Sequence, residues 1–116
     1  MHELSYVVRF VNSAIRLAEE HHALSVQKLT VQVGEMTDVL PEYLHKYYPD
    51  ATKGTILEGS ILETEPLPAR VLCGSCQTEY HPEKDTSYLC PQCGSGSGKI
   101  LAGRHVLLKN VEMEIP

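Results

Sequence analysis

Residues 73–93 read Cys73-Gly-Ser-Cys76-Gln-Thr-Glu-Tyr-His-Pro-Glu-Lys-Asp-Thr-Ser-Tyr-Leu-Cys90-Pro-Gln-Cys93, and the chain has no other cysteine. Two Cys-x-x-Cys turns joined by a short spacer can aim four sulfurs at one point, the arrangement that wraps a tetrahedral metal ion. In the second turn Pro91 presets φ after the first sulfur, and Gly94 can adopt positive φ after the last. The first turn has Gly74 inside it and Gln77 after it, and is less regular. Zinc suits four thiolates with no open position. A single iron ion would fit the same sulfurs, and two disulfides are the third reading of them. A closed site stabilises and does not catalyse. It explains how a segment of about thirty residues with few large apolar side chains folds, since so small a core needs a staple.

Working outward, Pro66 and Pro68 read as a break before the cysteines, and Ser95-Gly96-Ser97-Gly98 as a flexible stretch after them. Residues 4–21 read as a helix, with Leu4, Val7, Val8, Val11, Ile15 and Ala18 on one stripe and Arg9, Asn12, Arg16, Glu19 and Glu20 largely opposite. Residues 26–33 alternate as a strand, with Leu29, Val31 and Val33 on the buried face, and Gly34 ends it. A second helix starts near Pro41 and carries Tyr43, Leu44 and Tyr47; Pro49 limits or kinks it. A turn region bracketed by Gly54 and Gly59 leads into a strand at 60–65. The last segment alternates Leu107, Lys109, Val111, Met113 and Ile115 against Val106, Leu108, Asn110, Glu112 and Glu114. A metal hairpin has no core to bury an apolar strand face, so this strand is expected to return to the first domain. The predicted fold is α+β: a small helix-and-antiparallel-sheet domain of residues 1–68 and 104–116, with an inserted zinc-ribbon-like domain of residues 69–103.

The net charge of −5 argues against a nucleic-acid partner, which calls for a basic patch. No run of around 18 apolar residues exists to span a membrane. The chain opens Met-His-Glu and turns amphipathic at once, so no export signal is read, and the cytosol is the expected compartment. No nucleophile–base set and no phosphate-cradling glycine loop is present, so an enzyme is not expected.

Met1-His2-Glu3 carries a second metal chemistry. The α-amine, the backbone nitrogen of residue 2 and Nδ1 of His2 can close adjacent five- and six-membered rings on one ion. Planar nitrogen donors suit Ni(II) or Cu(II). Glu3 can add a backbone nitrogen or a carboxylate oxygen. A His at position 2 is also compatible with a plain solvated terminus.

Met-His-Glu at the start, the amphipathic helix, a strand ending Val33-Gly34-Glu35, the Gly54-Thr55…Glu58-Gly59 segment and Cys-x-x-Cys…Cys-Pro-x-Cys-Gly together resemble the HypA/HybF family, over the full length and in the same order. Members are nickel metallochaperones of hydrogenase maturation. The resemblance implies transported Ni(II) at Met1, His2 and Glu3, and structural Zn(II) at Cys73, Cys76, Cys90 and Cys93. It implies as partners a nickel-handling maturation GTPase and the large subunit of a nickel–iron hydrogenase; some members also serve urease. His45-Lys46-Tyr47-Tyr48-Pro49 departs from the family's uninterrupted second helix. Some members add a carboxylate from the loop after the first strand; Asp38 and Glu42 lie there, and neither is assigned.

The remaining candidates read as structural. His21 and His22 end the first helix, where protonated imidazoles suit the dipole. His45, His81 and His105 read as isolated, and Glu35 as a solvated turn residue. Tyr80 and Tyr88 are expected to pack across the metal hairpin. Two functions compete with a nickel carrier: a zinc-ribbon interaction or regulatory module with no transported metal, and a rubredoxin-like electron carrier with iron on the thiolates.

Overall fold

A computed structural model of the chain describes residues 3–116. Its architecture is α+β, with two helices and two three-stranded sheets. The chain divides into two compact units. One comprises residues up to Val33, Val39–Glu65 and Val106–Pro116; the other comprises Gly34–Asp38 and Pro66–His105.

In the first unit, α1 spans Glu3–Glu20. Its buried face is Val7, Phe10, Val11, Ala14 and Ala18. Leu4 and Val8, expected on that face, are 53% and 45% exposed. Two apolar stripes share Val7 and Val11, and the one containing Phe10 is buried. Phe10 stacks on Tyr48 with ring centroids 6.3 Å apart, an aromatic contact that Leu4 and Val8 cannot offer. The helix ends in a Schellman turn. Ala23 N–H bonds Ala18 O at 2.9 Å, His22 N–H bonds Glu19 O at 3.1 Å, and His22 takes the left-handed position at φ 54°.

The second helix, α2, spans Pro41–Thr52 with Pro41 in its first turn. It continues through Pro49 to Thr52, so Pro49 does not end it, and the exposed Pro49 leaves the buried side intact. That side is Leu44, Tyr48 and Thr52, four residues apart. Tyr48 is the buried aromatic of α2, with Tyr47 half-buried against the same core, and the Tyr48 hydroxyl meets Ser60 Oγ at 2.6 Å.

Strands β1 (Ser25–Gly34), β2 (Ile61–Leu67) and β6 (Val106–Glu114) form a sheet in the order β2-β1-β6. Pro66 lies within β2 instead of ending it, which an edge strand tolerates because one row of its N–H groups needs no partner. β1 and β6 run antiparallel. Thr30 faces Asn110 but Val31 faces Leu108, so Lys109 is an extra residue, a bulge. A bulge inverts the alternation. Val106 and Leu108 pack on the core before it, and Val111 and Met113 after it. The expected single apolar side of Leu107, Lys109, Val111, Met113 and Ile115 is therefore corrected: Leu107 and Ile115 are exposed. A second bulge at Gln27 shifts the register between Val26 and Lys28. Lys28 bridges Glu63 at 2.8 Å and Glu112 at 3.6 Å, and Glu65 accepts from Lys109 Nζ at 2.8 Å and Gln32 Nε2 at 3.1 Å.

The second unit holds β3 (Arg70–Cys73), β4 (Glu79–Tyr80) and β5 (Gly98–Ala102), ordered β4-β3-β5. Its core is Val71, Cys73, Tyr80 and Cys90, with Ile100 against it. Tyr80 packs as expected; Tyr88 is 60% exposed and does not. No helix of the described residues is long and apolar enough to cross a membrane.

Candidate metal centre

Cys73 closes β3, and each Cys-x-x-Cys turn folds back on its first cysteine. Gln77 N–H bonds Cys73 O at 3.1 Å, and Gly94 N–H bonds Cys90 O at 2.8 Å. The two turns share a backbone shape. Gly94 sits at φ 74° and Gln77 at φ 66°, so a non-glycine residue occupies the left-handed position of the first turn. In that turn Ser75 N–H and Cys76 N–H point at Cys73 Sγ, at 3.4 and 3.5 Å. The Ser95–Gly98 stretch is not a free linker. Gly74 N–H bonds Ser97 O at 2.6 Å, Cys90 N–H bonds Ser95 O at 3.0 Å, and the Ser75 and Ser95 hydroxyls meet at 3.0 Å.

The four Sγ atoms all lie within 4.8 Å of one another. Cys73 and Cys93 sulfurs are 3.5 Å apart, and Cys76 and Cys90 sulfurs 3.6 Å. A regular tetrahedron with metal–sulfur bonds of about 2.3 Å has edges of about 3.8 Å, so the set is close to the size of a four-thiolate cage. All four cysteines are free thiols, which sets aside the disulfide reading for this state.

The thiols of Cys73, Cys76 and Cys93 influence one another's ionisation. Cys76 is drawn down to about 6, first by the Thr78 hydroxyl at 3.2 Å and then by the Thr78 backbone. Cys73 is lowered by the backbone N–H groups of Cys76 and Ser75. At Cys93 the Ser95 backbone N–H pulls the same way, but Cys73, burial and the other two thiols outweigh it and push the group up to about 12. Once several sulfurs are ionised, the last proton is hard to remove. A cation supplies the missing charge, and this donor set would hold it through four thiolates.

Glu35 and His81 are corrected here. Glu35 Oε1 accepts Ala69 N–H at 2.9 Å and His81 Nε2 at 2.7 Å, so neither is an isolated surface group. The Ala69 amide and then His81 hold the Glu35 carboxyl below the ordinary carboxylate range. The His81 partner lies 46 residues from Glu35 and has no local signal in the sequence. His45 is likewise paired, with Nε2 3.2 Å from Thr64 Oγ1. A depressed carboxylate stabilises the fold above its unfolded pKa and ceases to as pH falls through the folded value. Wild type is therefore expected to exceed Glu35→Gln in stability by on the order of 1 kcal/mol at neutral pH, the solvent-screened size of a half-exposed pair. The gap should close as pH falls below the ordinary carboxylate range. Hydrogen exchange at the Ala69 amide, followed against pH in both proteins, checks this; a gap independent of pH would contradict it.

Of the nickel candidates, Met1 and His2 lie outside the described residues. Glu3 opens α1 and is buried. Asp38 caps the short helical turn Glu35–Thr37 in the left-handed conformation, and Glu42 lies in the first turn of α2.

A closed set of four thiols on paired turns, in a small α+β chain with no other clustered metal ligands among the described residues, defines a metal-binding protein. The family described as hydrogenase/urease nickel incorporation, metallochaperone, hypA matches residues 1–113. Hydrogenase maturation factor HypA of Methanocella arvoryzae is 35% identical, covering 99% of this chain and 100% of that protein. HypA of Streptomyces avermitilis is 31% identical, over 98% of this chain and 88% of that one. The solution structure of the Ni metallochaperone HypA from Helicobacter pylori has the same fold, with TM-score 0.78 at 19% identity over 100% of both chains. The chain belongs to the HypA family, whose members are metallochaperones rather than enzymes and take part in hydrogenase maturation.

Proposed function

We propose that the chain carries Ni(II) bound at Met1, His2 and Glu3 and delivers it to the large subunit of a nickel–iron hydrogenase. It would work in the cytosol with a nickel-handling maturation GTPase, and with urease accessory proteins where urease is also served. Residues 1–68 and 104–116 form the nickel-binding domain in this reading, and residues 69–103 a zinc-binding domain with structural Zn(II) on Cys73, Cys76, Cys90 and Cys93. The observation that carries the proposal is the family match over residues 1–113, on a chain that keeps Met-His-Glu at its start. The four-cysteine set supports it, because a closed cage has no open position for a cargo ion.

Nickel uptake should weaken as pH falls below neutrality. The imidazole binds only when neutral, with a reference pKa of about 6.5, and the amine and backbone nitrogen must also lose protons. His2→Ala removes one chelate ring, and one extra residue before Met1 moves the amine out of the other. Both are expected to abolish tight nickel binding while leaving the zinc content and the thermal transition unchanged. Calorimetric nickel titration of the zinc-loaded native chain and both variants is the test. Equal affinity in all three would remove the N-terminal site and leave a zinc-ribbon interaction module. The protein should be colourless; visible thiolate absorption would indicate iron in the cage.

A further inference from the structure

We propose that the four-cysteine set is also a modification site for hydroperoxides, oxidised across the two turns into Cys73–Cys93 and Cys76–Cys90 disulfides rather than within either Cys-x-x-Cys turn. The inference rests on the reading that these sulfurs hold zinc. Each turn contributes one buried cysteine, Cys73 or Cys90, and one exposed cysteine, Cys76 or Cys93. The close sulfur contacts pair an exposed thiol of one turn with the buried thiol of the other, at 3.5 Å for Cys73 and Cys93 and 3.6 Å for Cys76 and Cys90. An oxidant therefore reaches Cys76 or Cys93 first, and the sulfur placed to respond lies across the gap.

The chemistry balances in two steps. The exposed thiolate attacks the peroxide, the O–O bond breaks, and the sulfur becomes a sulfenic acid while the leaving oxygen takes a proton to give water or an alcohol. The buried thiolate then attacks that sulfur. The S–S bond forms, the S–O bond breaks, and hydroxide leaves and is protonated to water. Each disulfide consumes one peroxide and two thiolates. The first disulfide cuts the ion's donors from four thiolates to two, so the metal is released as the sulfurs are oxidised. A dithiol reductant restores the set.

The full zinc-loaded chain is titrated with hydrogen peroxide, with its zinc content measured beforehand and release followed by a chromophoric chelator. Remaining thiols are alkylated and the chain is cut with trypsin. Cleavage after Arg70, Lys84 and Lys99 leaves Cys73 and Cys76 on one peptide and Cys90 and Cys93 on the next. The expected result is complete zinc release at about two peroxides per chain, with the two peptides covalently joined. In Cys76→Ser the joined product should leave Cys90 free for alkylation; in Cys93→Ser it should leave Cys73 free. Separate peptides with internal disulfides, or sulfonic acids without a disulfide, would overturn the proposal. A chain without zinc at the outset would refute the zinc reading, while the peptide linkage would still decide this one.

Discussion

Cys90→Ala should reduce bound zinc from one ion per chain to almost none and unfold the second unit, leaving α1 in place. The unit's core is Val71, Cys73, Tyr80 and Cys90 with Ile100 against it, too little apolar surface to offset the entropy of ordering its chain. Structural zinc contributes about 10–16 kcal/mol to the folding of small zinc modules, so losing it exceeds any stability the unit has alone. Alanine also removes a buried sulfur and strands three thiolates of like charge. The first unit keeps its own core, centred on Val7, Leu29, Val31 and Leu44. Metal analysis and hydrogen exchange along the chain check both halves of the prediction. Full zinc content with an unchanged thermal transition would mean that the four sulfurs are not the ligands.

Gly34→Ala should destabilise the second unit by about 3 kcal/mol, more than an alanine normally does in a loop. The glycine is not needed for its conformation, since its φ of −66° suits any residue. It is needed for space. A Cβ there would lie 2.5 Å from Gly103 O, 2.6 Å from the Gly103 carbonyl carbon and 2.7 Å from His105 O. All three are backbone atoms, so no side chain can turn aside. Moving them stretches the bonds from Gly34 N–H to His105 O, now 3.0 Å, and from Met36 N–H to Gly103 O, now 2.8 Å. Gly54→Ala is the control. Gly54 sits at φ 79° with nothing near its missing Cβ, so it should cost only about 1 kcal/mol. Denaturant unfolding of the three proteins checks the order; equal losses would show that the backbone around Gly34 yields to the added carbon and that crowding there costs little.

The metal centre was legible because its information is local. Two Cys-x-x-Cys turns announce converging sulfurs whatever surrounds them. Glu35 and His81 were not legible, because their pairing depends on the chain bringing residues 46 positions apart into contact. Periodicity locates helix α1 but does not choose its buried face. Leu4 and Val8 match a 3.6-residue period as well as Phe10 and Ala14 do, and only the stacking of Phe10 on Tyr48 separates them. Alternation identifies β6 as a returning strand and gives the right face after Lys109 but the wrong one before it, where Val106 and Leu108 are on the core instead of Leu107, since a pattern followed straight through cannot reveal an inserted residue. Propensity makes Pro49 a limit or kink and Pro66 a break, because it ignores where a missing N–H falls. One is on the exposed side of α2 and the other on an edge strand.

The pairing of β1 with β6 also sets a timetable for synthesis. Every residue of the second unit, from Gly34–Asp38 to Pro66–His105, leaves the ribosome before β6 does. The four thiols can therefore collect their ion while β1 still lacks its neighbour, so metal loading is free to precede closure of the first sheet. Until β6 arrives, that side of β1 offers unpaired N–H and C=O groups to any other strand. A chain cut short before Val106 would keep all four cysteines but leave that edge of β1 open, a form exposed to aggregation.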